Sequence, residues 1–244
     1  MVDVGKGFRR AAIFGASGGI GAALAKAFAQ RGTEVRAGAR DLSRIPTGAG
    51  ISPFAFDLDE EDSIAAAART MSSAPPDCVI VATGVLTLPD GRGPERSYKR
   101  LDPLAMQRVL YLNTVGPALI AKHVLPLLPR EGRSVFAALS ARVGSIGDNR
   151  LGGWHSYRAS KAALNMLIRN WAIEVARTHS NAVICGLHPG TVDTALSEPF
   201  QKNVPPRQLF TAERSAAALL AVIEDLTPQE SGKVFDWSAK PIPA

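Results

Sequence analysis

The stretch that decides the fold is Arg10-Ala11-Ala12-Ile13-Phe14-Gly15-Ala16-Ser17-Gly18-Gly19-Ile20-Gly21. Its first five residues are mostly apolar and predict a buried strand, and a helical pattern follows over residues 20–31. The glycines between them allow a tight turn that approaches an anionic group closely. The start of a helix presents unpaired N–H groups and a partial positive charge to that group. The stretch therefore predicts a strand, a phosphate-binding turn and a helix.

The rest of the chain continues this alternation of short apolar runs and longer helical patterns. We expect further strands at residues 34–37, 51–55, 78–82, 134–139, 182–188 and 233–236. We expect further helices at residues 60–72, 103–128, 155–179 and 212–226. Such alternation implies right-handed βαβ crossovers and a parallel sheet that is buried on both faces. We therefore predict an α/β fold, a single domain over residues 1–244 with one doubly wound sheet of about seven strands and helices on both faces.

Two segments, 86–102 and 195–209, fit neither pattern, and both are rich in proline, glycine and charged residues. Each follows an expected strand. Long loops after strands lie at the carboxyl edge of an open α/β sheet, where ligands bind. We predict that both segments line a substrate site, with mobile surface loops as the alternative.

Composition and charge exclude several classes of protein. Hydrophobic residues make up 46% of the 244 residues, yet no charge-free apolar run reaches the length of a membrane span, so no membrane association is expected. The net charge is +6, but the basic residues are scattered, and we expect no nucleic-acid partner. The basic first ten residues are not followed by the apolar segment of a secretory signal peptide. Cys78 and Cys185 lie in apolar runs, and we expect both to be buried thiols. We expect a cytoplasmic protein without a metal site.

The end of the second expected strand bears on which dinucleotide the glycine turn would hold. An acidic residue there would contact an adenosine 2′-hydroxyl, whereas an arginine suits a 2′-phosphate. The strand ends in Ala37-Gly38-Ala39-Arg40. Arg40 therefore favours NADP(H) over NAD(H), with an ordinary surface arginine as the alternative.

A tyrosine and a lysine four residues apart open the helix expected at residues 155–179. Tyr157 and Lys161 would lie on one helix face, one turn apart. A phenol has a reference pKa of about 10, and a nearby ammonium group lowers that pKa towards neutral pH. The pair therefore indicates a tyrosine that exchanges protons with a substrate.

Together these motifs resemble the short-chain dehydrogenase/reductase family over essentially the whole chain. The motifs are Gly15-x-x-x-Gly19-Ile20-Gly21, Asn113 in the helix expected at residues 103–128, a serine after the fifth strand, Tyr157-x-x-x-Lys161 and Pro189-Gly190. The segments 139–147 and 157–166 are similar to the C-factor-like carbonyl reductase subgroup. The resemblance implies a Rossmann-type domain that binds NADP(H), with NAD(H) less favoured, and assembles as a homo-oligomer, a dimer or a tetramer.

The resemblance also assigns roles to individual residues. Tyr157 would donate a proton to a substrate carbonyl, Lys161 would lower the tyrosine pKa and contact the nicotinamide ribose, and Asn113 would hold a water that connects Lys161 to solvent. The implied cofactor contacts are Gly15, Ser17, Gly18, Gly19, Ile20, Gly21, Arg40, Asp57, Leu58, Gly84, Asn113, Tyr157, Lys161, Pro189, Gly190, Val192 and Thr194.

The sequence departs from the family pattern at the catalytic serine. That serine usually lies three residues before a glycine, and the residue three before Gly144 is Ala141. We expect Ser140 to polarise the substrate instead, with Ser145 as the second candidate.

The function implied by the resemblance is an NADP-dependent, carbonyl reductase-like enzyme. It would transfer a hydride between NADP(H) and a small carbonyl or alcohol substrate, with tyrosine as the general acid or base. The alternative is an NAD(P)-binding regulatory or signalling protein of the same fold, with weak or incidental catalysis.

Overall fold

Short runs of apolar and β-branched residues form the strands in the computed structural model, which describes residues 7–244. In chain order the strands are β1 (Arg10–Phe14), β2 (Glu34–Ala39), β3 (Ile51–Ala55), β4 (Cys78–Val81), β5 (Ser134–Leu139), β6 (Ala182–His188), β7 (Thr191–Val192), β8 (Leu209–Phe210), β9 (Val234–Asp236) and β10 (Pro241–Ile242). Within the described residues, eight strands build the central sheet in the order β10-β9-β6-β5-β4-β1-β2-β3. Strands β7 and β8 pair separately as a small parallel sheet.

The predicted doubly wound parallel sheet is confirmed, with one strand more than expected. All seven predicted strands are present, and neighbouring strands among them run parallel. The additional strand β10 runs antiparallel to β9 at the edge of the sheet. It has only two residues, which is too short for an alternation of apolar and polar residues to mark it.

From residue 7 onward, six α-helices flank the sheet: α1 (Gly19–Gln30), α2 (Glu61–Arg69), α3 (Pro103–Leu110), α4 (Gly116–Val124), α5 (His155–Val175) and α6 (Ala212–Asp225). Helices α1 and α6 cover one face of the sheet with residues such as Leu24 and Leu219. Helices α2, α4 and α5 cover the other face through Ile64, Ile120 and Ile168. Each of these fully buried side chains contributes about 1.5–3 kcal/mol to folding.

The prediction of a single helix over residues 103–128 is wrong in one respect, because the structure divides this stretch into two α-helices. A π-helical turn (Tyr111–Val115) separates α3 from α4, and a 3-10 turn (Leu125–Leu127) follows α4. Pro117 has no N–H to donate to the carbonyl of Asn113, so the regular α-helical hydrogen bond is lost there. The wider turn carries Asn113 into the interior.

Both cysteines are free thiols buried in the sheet, as predicted. No helix in the part of the chain from residue 7 onward has the length and apolar character that a membrane crossing requires. The carboxyl ends of β1, β4, β5 and β6 meet at one edge of the sheet. The segments 86–102 and 195–209 follow β4 and β6, and this edge holds the candidate site.

Candidate active site

The glycine turn after β1 has no room for side chains at positions 15, 19 and 21. The amides of Gly15 and Ala16 donate to the Gly38 carbonyl at 2.9 and 2.8 Å, which joins the turn to β2. A Cβ at Gly21 would lie 2.2 Å from the Gly15 carbonyl oxygen, and one at Gly19 would lie 2.6 Å from Cγ2 of Thr194. The turn thus brings the backbone of α1 against both β1 and the segment after β7.

A cavity of about 260 Å³ opens beside this turn. Of the residues predicted from the sequence, it is lined by Ser17, Gly18, Gly19, Ile20, Gly21, Gly84, Ser140, Tyr157, Lys161, Pro189 and Thr194. Gly15 lies beneath the turn, and Gly190 and Val192 line an adjoining cavity. Segments far apart in sequence therefore meet at one site.

Three of the predicted cofactor residues, Arg40, Asp57 and Leu58, line neither this cavity nor the adjoining one. Arg40 is exposed at the end of β2. Asp57 accepts a hydrogen bond from the amide of Asp59 at 3.1 Å. The side chain of Leu58 packs on Gly116, where a Cβ would lie 2.9 Å from its methyl groups. The structure does not bring these side chains to the cavity itself.

Sequence reasoning missed Arg44, which lines the cavity from a one-turn 3-10 helix (Leu42–Arg44). The side chain of Asp41 caps that turn by accepting a hydrogen bond from the Ser43 amide at 3.0 Å. Aspartate favours turns because its side chain bonds the backbone two residues on, so Asp41 is the signal in the sequence that indicates this turn. Arg44 is thus a second basic residue near the end of β2.

Asn113 is fully buried behind the cavity. Its Nδ2 donates to the Val85 carbonyl at 2.8 Å and to Oγ of Ser160 at 3.0 Å, and its Oδ1 accepts from the Val85 amide at 2.7 Å. A Cβ at Gly84 would lie 3.0 Å from this Oδ1 and 3.5 Å from Nζ of Lys161. Asn113 therefore ties the turn after β4 to helix α5, directly next to the lysine.

Tyr157 and Lys161 are both buried on α5, one turn apart. The Lys161 ammonium group donates to the Leu139 carbonyl at 2.8 Å. Burial raises the pKa of Tyr157 to about 12 and lowers the pKa of Lys161 to about 8. The direction for the tyrosine is opposite to the sequence expectation, because desolvation of the phenolate dominates.

The two candidate serines lie in different surroundings. Ser140 lines the cavity, and its Oγ donates to Oδ1 of Asn165 at 2.6 Å. Ser145 accepts a hydrogen bond from the Asp148 amide at 3.0 Å and lines neither cavity at this site. Ala141, three residues before Gly144, packs in one apolar cluster with Tyr157. The structure brings Ser140 to the tyrosine side of the site and keeps Ser145 away.

A second cavity of about 370 Å³ adjoins the first and shares Tyr157 and Ser140 with it. Its lining is mainly apolar and includes Leu86, Ala141, Val143, Trp154, Phe200 and Val204. The Trp154 ring meets the Tyr157 ring edge-on at 6.3 Å and the Phe200 ring at 5.1 Å. Both segments expected to line a substrate site contribute to this cavity.

Glu95, in segment 86–102, anchors the start of α5. Its carboxylate accepts hydrogen bonds from the Ser156 amide at 3.0 Å and from the Ser156 hydroxyl, and its carbonyl accepts from the Trp154 amide at 2.5 Å. Burial acts to raise the pKa of Glu95, but the bonds from Ser156 outweigh it and lower the pKa. No local pattern in the sequence indicates this contact, since the partners are 61 residues apart.

Comparisons with known proteins agree with this arrangement. A sequence profile described as short chain dehydrogenase matches residues 9–205. The 1-hydroxy-2-glutathionyl-2-methyl-3-butene dehydrogenase of Rhodococcus sp. (strain AD45) is 33% identical over 91% of this chain and 93% of its own. The C-signal protein of Myxococcus xanthus is 33% identical over 59% of this chain and 81% of its own. The NADPH-bound carbonyl reductase from chicken fatty liver superposes with a TM-score of 0.81 at 23% identity, covering 98% of this chain and 95% of its own.

Proposed function

This chain belongs to the short-chain dehydrogenase family, and from that premise we propose that it is an NADP(H)-dependent reductase that converts a carbonyl group to an alcohol. One observation carries the proposal. The glycine turn, Tyr157, Lys161 and Ser140 line a single cavity at the carboxyl edge of the sheet. A phosphate-binding turn and a proton donor are thereby within reach of one bound molecule.

The residues around the first cavity fit a dinucleotide. Gly18 and Gly19 line the cavity at the start of α1, where no side chain caps the helix, so a pyrophosphate can meet the first backbone N–H groups. Oγ1 of Thr83 is buried in this lining and has no hydrogen-bond partner among the described residues, which suits a polar ligand atom. Bound NADP(H) would supply the hydride for reduction.

The family resemblance assigns the remaining cofactor contacts. Asp57 and Leu58 would hold the adenine, and Arg40 would pair with the 2′-phosphate. We add Arg44, which lines the cavity, as a second partner of that phosphate. Gly84 would let a ribose approach the backbone. Lys161 would contact the nicotinamide ribose, with Tyr157 and Asn113 beside it, and Thr194 would fix the carboxamide. Pro189, Gly190 and Val192 would also contact the cofactor.

Tyr157 would be the general acid. With a pKa raised to about 12, its phenol keeps its proton at neutral pH and can donate it to the oxygen of a substrate carbonyl. Lys161 is largely charged below its pKa of about 8, and its positive charge would stabilise the phenolate that forms. Asn113 would support proton return to this pair through a bound water.

Ser140 would hydrogen-bond the same carbonyl oxygen and stabilise its developing negative charge. The second cavity would hold the rest of the substrate. Leu86, Trp154 and Phe200 make its lining apolar, which favours a hydrophobic aldehyde or ketone. Segments 86–102 and 195–209 would determine which compound fits.

We further propose that the protein forms a homo-oligomer through its long helices. Leu104 on α3 and Met166 and Ile173 on α5 are 66, 62 and 48% exposed. Exposed apolar side chains on neighbouring helices favour association.

The first experiment is a titration with NADPH and NADH, followed by nicotinamide fluorescence, for the wild type and for Arg40→Ala and Arg44→Ala. We expect NADPH to bind more tightly than NADH, and each substitution to weaken NADPH binding selectively. Turnover is then assayed with 4-nitrobenzaldehyde as a hydrophobic carbonyl probe. If neither nucleotide binds at millimolar concentration, the oxidoreductase proposal fails.

The similarity to the C-signal protein favours a second candidate, an NAD(P)-binding signalling protein with incidental catalysis. The variant Tyr157→Phe separates the two candidates, because it removes the hydroxyl group that would donate the proton and leaves the ring in place. Under the enzyme proposal the biological effect of the protein disappears with the phenol. Under the signalling proposal that effect survives.

A further inference from the structure

Asn165 continues the face of α5 that carries Tyr157 and Lys161. The three side chains are spaced four residues apart and therefore follow one another on successive helical turns. Lys161 is tied to the last residue of β5 through the Leu139 carbonyl, and Asn165 is tied to the next residue, Ser140. The end of β5 is thus held by the same helix face that presents the proton donor.

The hydrogen bond between Ser140 and Asn165 limits what the serine can do. A hydroxyl has one proton. While Ser140 donates that proton to Oδ1 of Asn165 at 2.6 Å, it has none to offer a substrate carbonyl. Ser140 in this orientation would only present lone pairs to a carbonyl oxygen, and that contact is repulsive.

A half-turn of the Asn165 amide reverses the direction of this hydrogen bond. The rotation exchanges Oδ1 and Nδ2, which occupy equivalent positions in a planar amide. Nδ2 then donates to Oγ of Ser140, and the serine proton becomes free for another acceptor. In the orientation described, Nδ2 bonds to no other residue of the described chain, so the rotation breaks no further contact.

Gly144 leaves room for this amide. A Cβ at position 144 would lie 2.8 Å from Cβ of Lys161 and 3.1 Å from Nδ2 of Asn165. Any side chain there would press on the amide and on the lysine together. Gly144 therefore leaves space for either orientation of the Asn165 amide.

We propose that Asn165 is a positioning residue for carbonyl reduction, whose amide donates to Ser140 and so directs the serine proton to the substrate oxygen. The proposal rests on the reductase function proposed above. A substrate carbonyl accepts only, so its arrival selects the orientation in which Nδ2 faces Ser140. Asn165 acts through Ser140 and touches neither substrate nor cofactor.

The test is Asn165→Asp, which keeps the shape of the side chain. An ionised carboxylate only accepts hydrogen bonds and holds the serine proton away from the substrate. We expect kcat/KM with NADPH and 4-nitrobenzaldehyde to fall about tenfold near neutral pH, as for Ser140→Ala, because one hydrogen bond to the substrate is lost. As the pH is lowered, the carboxyl gains a proton that it can donate, and the ratio of variant to wild-type activity rises. A purely structural role would not produce this pH dependence.

Two controls separate this effect from a general electrostatic one. Asn170→Asp places the same charge at an exposed position of α5 and is expected to change little. In a Ser140→Ala background, Asn165→Asp is expected to have no further effect, whereas a direct influence on Lys161 would persist there. Asn165→Ala frees the serine without directing it, and we expect a loss smaller than that of Ser140→Ala.

The outcomes are distinguishable. If the wild type reduces the aldehyde and Asn165→Asp is equally active at neutral pH, the proposed role of Asn165 is overturned. The role is also overturned if Asn165→Asp lowers kcat/KM in the Ser140→Ala background by the same factor as in the wild type. Full activity of Asn165→Ala would overturn it as well. A wild type that binds NADPH without reducing any carbonyl overturns the proposed function itself and this role with it.

Discussion

Nζ of Lys161 lies 5.8 Å from the centre of the Tyr157 ring, and the two groups carry oppositely shifted pKa values. Burial is the cause of both shifts, since each group is disfavoured in its charged form. At neutral pH the site therefore holds a protonated phenol beside a lysine that is close to losing its charge. This arrangement suits proton donation to a substrate more than proton removal from one.

The pH dependence of reduction follows from this pair. Tyr157 keeps its proton throughout an ordinary assay range, so a decline at high pH reports Lys161, with a pKa of about 8. We expect kcat/KM to be constant well below that pH and to fall above it, because deprotonated lysine no longer stabilises the phenolate. Lys161→Arg stays charged and should shift the decline upwards. A profile of the wild type that stays flat through the alkaline range would rule this out.

Ala141 stands where the family pattern has its catalytic serine, so a substitution there tests how the position of the serine affects the rate. Its side chain packs next to Tyr157, at the position three residues before Gly144. We expect Ala141→Ser to add a hydroxyl at the site and to raise kcat/KM about three- to tenfold, the worth of one hydrogen bond. The double variant Ser140→Ala/Ala141→Ser moves the hydroxyl and should recover the activity that Ser140→Ala loses. A drop in both variants would mean that position 141 does not face the carbonyl.

The glycine turn is predicted to tolerate no side chain at position 21. A Cβ there would lie 2.2 Å from the Gly15 carbonyl oxygen, so Gly21→Ala must displace the turn. We expect an overpacking cost of about 1–3 kcal/mol and NADPH binding weakened by at least about tenfold. Gly48→Ala is the matched control, since its Cβ would meet only Ile51 at 3.7 Å. Equal fluorescence titrations for the two variants would contradict this account of the turn.

Local patterns explain why most of the fold could be predicted. Most strands of the parallel sheet are mainly apolar runs, although β2 and β3 also carry polar residues, and Tyr157 and Lys161 are related by helical spacing alone. The pattern of residues 103–128 is also helical throughout, so only Pro117 hints at the π-helical turn that places Asn113. The contacts of Glu95 with Ser156 and of Trp154 with Phe200 join distant segments, and no periodicity encodes them. Arg44 reaches the cavity from a short turn rather than from the end of a strand.

Glu95 allows a prediction that concerns both stability and catalysis. Trp154, which precedes α5, provides no side-chain cap, and the Glu95 carboxylate accepts the Ser156 amide in its place. Glu95→Ala would leave a buried amide and a buried hydroxyl without partners, and we expect a loss of about 1–3 kcal/mol of stability. For a chain of this size, each kcal/mol lowers Tm by about 2–4 °C.

Glu95→Ala should also slow the reaction, because Tyr157 follows Ser156 directly and shifts with the start of helix α5. We expect kcat to fall about tenfold or more, since small displacements of a proton donor are costly, while NADPH binding at the glycine turn, which Glu95 does not contact, is retained. Glu95→Gln keeps a side-chain oxygen that accepts the Ser156 amide and should recover much of both properties. Glu131→Ala, an exposed glutamate, is the control. Thermal melts combined with steady-state kinetics decide the matter: an unchanged kcat at reduced Tm would show that Glu95 stabilises the helix without positioning Tyr157.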